Sequence, residues 1–113
     1  MDVEQLREYC LTKEEAEECF PFGPDILVYK VNGKIFLLEF LNQQPIQFNV
    51  KCDPEKALEL REQFSSILPG YHMNKKYWNT IIIDGSLSVK QLQGFIDDSY
   101  NLIKTNGKTM VNK

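Results

Sequence analysis

The sequence predicts an α+β domain: a mostly antiparallel sheet with helices on one face, in two layers. Three observations carry this. Two strand-like runs, "ILVYKV" and "KIFLLEF", flank Asn32-Gly33, a pair suited to the positive φ angles of a type I′ hairpin turn. The elements read in the order helix, strand, strand, strand, helix, strand, strand, helix, with no regular strand–helix alternation. The links between strands are short, which favours antiparallel pairing.

Each element has its own signal. Val3, Leu6 and Cys10 recur at helical spacing behind Asp2, a good N-cap. Thr12 and Glu15 form a T-x-x-E capping box before Ala16, Cys19 and Phe20, so two helices or one kinked helical arm are expected over residues 2–20. "FPFGPD" then breaks the helix. After the hairpin, "IQFNV" (46–50) alternates apolar and polar residues, as a strand with one wet face does. Asp53-Pro54 opens a helix carrying Ala57, Leu60, Arg61 and Phe64 at helical spacing, with Leu58 beside them. Pro69-Gly70 ends it. "YHM" and "WNTIII" read as two short strands around "NKKY", with Trp78 buried. Ser88 and Gln91 cap a last helix whose apolar stripe holds Leu92, Phe95, Ile96 and Ile103. The reading is one domain, 1–113, with a core of about 12–104 and a flexible tail at 105–113.

The chain has 113 residues, 42% of them apolar and 12% aromatic, enough for a packed core and too rich for a disordered chain. No apolar run approaches the roughly 20 residues that cross a bilayer, and "MDVEQLREYC" is unlike a signal peptide. A cytoplasmic protein with no membrane partner is expected. Three cysteines (Cys10, Cys19, Cys52) without C-x-x-C, beside a single histidine, read as reduced thiols and point to no metal and no cofactor. Phosphate-loop, dinucleotide and nucleophile-elbow motifs are absent, and His72 is the one imidazole available to a triad, so enzymatic activity ranks last.

The net charge of −3 argues against a strongly basic nucleic-acid binder. Its distribution changes the picture. Residues 1–20 carry seven acids and two bases, leaving nine acids and eleven bases elsewhere. A hairpin tip at "NKKYW" would project Lys75 and Lys76 beside Tyr77, with His72 and Asn74 leading into it. Such a tip could hold a phosphate backbone and stack on an unpaired base. The plainer reading is a solvated lysine turn anchored by Trp78.

The strings "FPFGPDILVYKVNGKIF", "VKCDPEKALELREQF" and "PGYHMNKKYWNT", followed by "IDGSLSVKQLQGFIDDSYNLI", resemble the MmcQ/YjbR family from about Glu14 to Lys104. Pro69, Gly70, His72, Asn74, Lys75, Trp78 and Asn79 match one family motif, and Pro21, Phe22, Gly23 and Pro24 an earlier one. Tyr77 departs from the pattern, where many members have histidine. The resemblance implies a "double-wing" or CyaY-like α+β fold and DNA as a partner. It supplies no catalytic residues. The competing reading is a protein-interaction module using the sheet face or the acidic N-terminal arm to meet a protein partner.

Overall fold

The computed structural model describes the backbone of residues 1–112 and the side chains of residues 1–105. The flexibility expected of 105–113 falls on residues that lie, from 106 onward, outside those described in full. Three helices and six strands follow in the order α1 (Val3–Leu11), β1 (Glu17–Cys19), β2 (Ile26–Val31), β3 (Lys34–Phe40), β4 (Gln47–Lys51), α2 (Pro54–Gln63), β5 (Ile67–Pro69), β6 (Trp78–Ile82) and α3 (Val89–Asn112). The strands form one antiparallel sheet in the order β1-β2-β3-β4-β6-β5.

Local chemistry accounts for most boundaries. Asp2 caps α1, and Asp2 and Gln5 exchange hydrogen bonds of 2.8 and 2.9 Å with each other's backbone N–H. Asn32 and Gly33 both have positive φ (54° and 75°), as the β2–β3 turn requires. Asp53 caps α2 ahead of Pro54. Ser88 and Gln91 form the reciprocal box that opens α3.

Two expectations fail. No second helix follows Thr12, which is instead the C-cap of α1. Glu15 adopts φ 62°, turning the chain so that 17–19 can pair with β2 as the edge strand β1. The pairing gained along β2 outweighs a generic capping pattern. Likewise, residues 71–73 form no strand. β5 lies earlier, at Ile67–Pro69, and His72 at φ 59° cannot continue it.

All three helices lie against one face. The large core gathers Leu6 and Cys10 of α1, Ala57 and Leu60 of α2, and Leu92, Ile96, Tyr100 and Ile103 of α3. They pack onto Leu27, Tyr29, Leu37, Phe48, Val50 and Ile81 of the sheet. A bulge where β2 meets β3 turns Phe36 inward as well as Leu37. Buried Ser99 of α3 donates its hydroxyl to the freed Phe36 carbonyl (2.6 Å) and accepts from Lys51 N–H (2.8 Å), pinning the helix to β3 and β4.

The opposite face carries a smaller cluster of Val28, Leu38 and Trp78, with no helix over it. Trp78 is buried as expected, on this second side of the sheet and not in the main core. Tyr71, on the segment that leads up to β6, is exposed.

Candidate functional site

Residues 70–77, between β5 and β6, fold back as a flap over the helix-free face. Gly70 makes the fold-back possible. Its N–H donates to the Trp78 carbonyl (2.8 Å), and a Cβ there would lie 2.7 Å from the Trp78 Cβ, so only glycine can approach so closely. Beyond it, Asn49 and Thr80 occupy adjacent positions on β4 and β6. Both are buried, and both are satisfied. The Thr80 hydroxyl donates to Asn49 Oδ1 (2.6 Å) and accepts from Tyr71 N–H (2.9 Å), while Asn49 Nδ2 donates to the Tyr71 carbonyl (2.8 Å). The backbone of Tyr71 is thereby clamped to the middle of the sheet.

The far end of the flap is held from the helix layer. Arg61 of α2 reaches round the sheet edge. Its guanidinium donates to Asn79 Oδ1 (2.6 Å), to the Lys75 carbonyl and to the Trp78 carbonyl (3.2 Å). Asn74 supplies the last turn. Its Oδ1 accepts from Lys76 N–H (2.9 Å), and its carbonyl accepts from Tyr77 and Trp78 N–H.

The five residues singled out from the sequence are all exposed, and the flap divides them. Lys76 and Tyr77 meet, with the ammonium 5.6 Å from the ring centroid. Lys51 at the end of β4, in register with Trp78, approaches the same ring at 5.8 Å. The sequence reading missed Lys51. Its signal was the polar face of β4, where Gln47, Asn49 and Lys51 alternate with Phe48 and Val50, although Asn49 itself is buried beneath the flap. Lys75 sits on the same turn, its Nζ 3.4 Å from the Gly70 carbonyl. Asn74 spends its side-chain oxygen on the turn itself. His72 points elsewhere: its ring lies 3.8 Å from that of Tyr71, at the other end of the face.

That other end is apolar and aromatic. Tyr71 meets Phe40 edge-on, with centroids 6.0 Å apart. On one side of Tyr71, a groove of about 290 Å³ is lined by Phe40, Gln43, Gln47, Leu68 and Thr80 among others. On the other, a groove of about 280 Å³ brings Phe22, Pro24 and Asp25 against Tyr71 and His72. The "FPFGPD" and "PGYHMNKKYW" segments therefore converge across the sheet face.

Most basic side chains of the helix layer are paired, with exposed Lys90 of α3 outside the ion pairs of the described residues. Arg7, Lys13, Lys56 and Lys104 are each paired with a carboxylate, of Glu18, Asp97, Asp98 and Glu14 respectively. Helices α1 and α2 expose Glu4, Glu8, Glu55, Glu59 and Glu62. On the flap side Lys51, Lys75 and Lys76 have no carboxylate within ion-pair distance among the described residues, and Lys30 faces Glu17 across β1–β2. The cysteines are free, and burial pushes the thiols of Cys10 and Cys52 up, away from the reactive thiolate. No helix among the described residues is long and apolar enough to cross a membrane.

Known proteins share this framework. The YjbR family model matches residues 11–102. The chain is 39% identical over 107 residues to the uncharacterised protein YbdF of Escherichia coli O157:H7, covering 91% of this chain and 88% of that one. It is 32% identical over 100 residues to the uncharacterised protein YjbR of Escherichia coli K12, covering 88% and 85%. A crystal structure of the Deinococcus radiodurans protein DR2400, with a domain described as DUF419, superposes with a TM-score of 0.89 at 36% identity, over 93% of this chain and 80% of that one. A Pseudomonas syringae protein follows at 0.80 and 28%, over 91% and 99%. Sequence and fold agree that the chain belongs to the YjbR family.

Proposed function

We propose that this chain binds DNA, gripping phosphates with Lys51, Lys75 and Lys76 at the Trp78 end of the helix-free face. One observation carries the reading: Lys51 and Lys76 meet at the Tyr77 ring with Lys75 on the same turn, and none of the three has a carboxylate within ion-pair distance among the described residues, whereas four basic residues of the helix side are paired. Locally unopposed charge on a net-acidic chain gives an oriented footprint. The helix layer repels the backbone that the flap side attracts. Lysine contacts to phosphate position the nucleic acid without reading its sequence. The reading assigns no catalytic step.

The test is a salt titration of DNA affinity for the wild type and for K51E/K75E/K76E, with circular dichroism as the fold control. The wild type should bind at low salt with a negative slope of log affinity against log salt. The variant should lose affinity across all DNA sequences and flatten the slope by about one unit per lysine. Absence of binding by the wild type in low salt, or full affinity in the folded variant, would overturn the reading. A protein-interaction module is the second reading. The exposed Phe20, Phe22 and Leu68 favour it, and it predicts an association that salt hardly weakens.

A further inference from the structure

We infer that the DNA this face takes is single-stranded, and that the Tyr71 end of the face stacks its unpaired bases. The inference rests on the DNA-binding reading and adds the class of strand.

Tyr71 is displayed, not merely left outside. The residue is 54% exposed, yet its N–H and carbonyl are both bound by buried groups of the sheet, Thr80 and Asn49. Phe40 supports the ring from below and His72 lies against it. An aromatic group held this way has lost its freedom before a ligand arrives, which lowers the entropic cost of stacking on it. Phe22, 58% exposed, lines the same groove and offers a second ring. The amides of Asn42, Gln43 and Gln47 line the two grooves and can donate and accept at base edges.

The spacing joins this platform to the lysines. Gln47, beside the grooves, and Lys51 share a face of β4 four residues apart, about 13 Å at the usual strand rise. A strand laid along β4 would have phosphates at the Lys51–Lys76 end and bases over Tyr71. Asp25, the one acid lining either groove, disfavours a phosphate there. In a duplex the bases are stacked on each other and closed to such rings, whereas an open strand presents them.

The experiment is fluorescence anisotropy with a labelled oligothymidine and with the same strand annealed to its complement. It compares the wild type, Phe22→Ala, Tyr71→Ala, Tyr71→Trp and K51E/K75E/K76E. The wild type should prefer the single strand. Phe22→Ala and Tyr71→Ala should each weaken single-strand binding by about tenfold or more while leaving the salt slope unchanged, and Tyr71→Trp should restore it. Phe22 lies on the exposed "FPFGPD" loop, so its variant keeps the test valid if Tyr71→Ala does not fold. Equal or stronger duplex binding, unaffected by the aromatic changes but lost in the lysine variant, overturns the inference and leaves the DNA reading standing. Failure of the wild type to bind either probe overturns both. Concentration-dependent self-association abolished by Phe22→Ala assigns the aromatic end to a protein contact and overturns the inference.

Discussion

Glu39 is the residue that the large core accommodates least easily. It is fully buried on the helix-facing side of β3. One carboxyl oxygen lies 3.5 Å from the Tyr29 hydroxyl, a long hydrogen bond, and the other has no partner among the described residues. Burial pushes its pKa up to about 7. The Tyr29 hydroxyl opposes that shift and Glu4 adds slightly to it. The sign follows from linkage. In the folded state the carboxyl keeps its proton to higher pH than in the unfolded chain, so folding is favoured below the unfolded value near 4.5. That advantage is lost as pH rises through about 7, a swing on the order of 3 kcal/mol. Glu39→Gln imitates the neutral carboxyl. Denaturant melts of both proteins at pH 4 and pH 8 should therefore show the glutamine variant gaining on the wild type at the higher pH. Stability differences that are equal at the two pH values would show that Glu39 does not titrate in this window.

At the scale of elements, the flap explains both what the sequence disclosed and what it concealed. The β2–β3 hairpin, α2 and α3 were legible because Asn32-Gly33, Asp53-Pro54 and Ser88/Gln91 act within a few residues of themselves. The β1 strand was not legible. Three residues, Glu17–Cys19, carry no alternation of their own and become a strand by pairing with β2. The flap was half legible: exposed lysines on a turn could be read, but the position of Lys51 beside Tyr77 depends on the β4–β6 register. Gly70 was read as a turn residue, while its larger role is to let the chain pass against Trp78. Gly70→Ala is accordingly predicted to destabilise the protein by about 1–3 kcal/mol, because the added methyl meets Trp78 backbone and Cβ atoms that cannot swing aside. Urea midpoints of wild type and variant measure this, and a variant within experimental error of the wild type would show that the flap yields at no cost.

Across the whole molecule, one sheet serves two unequal layers. β3, β4 and β6 bury Leu37, Val50 and Ile81 beneath the helices, while Leu38, Asn49 and Trp78 sit beneath the flap on the other side. Neither layer has a sheet of its own. Arg61 also fastens α2 to the carbonyls of Lys75 and Trp78, so the helix layer and the flap share hydrogen bonds around the sheet edge. Loss of the helices would expose half of every central strand, and loss of the flap would leave buried Asn49 and Thr80 without their Tyr71 partners. The layers should therefore unfold together. Trp78, as the one tryptophan, reports the flap side, and far-ultraviolet circular dichroism reports chiefly the helices. Native Trp78 emission should be blue-shifted and move to the red on unfolding. Its urea transition should coincide with the dichroism transition, with a common slope of about 1–3 kcal/mol/M. A fluorescence midpoint clearly below the dichroism midpoint would mean that the flap opens while the helix layer stays folded, and that the proposed DNA-binding face is an independently ordered surface.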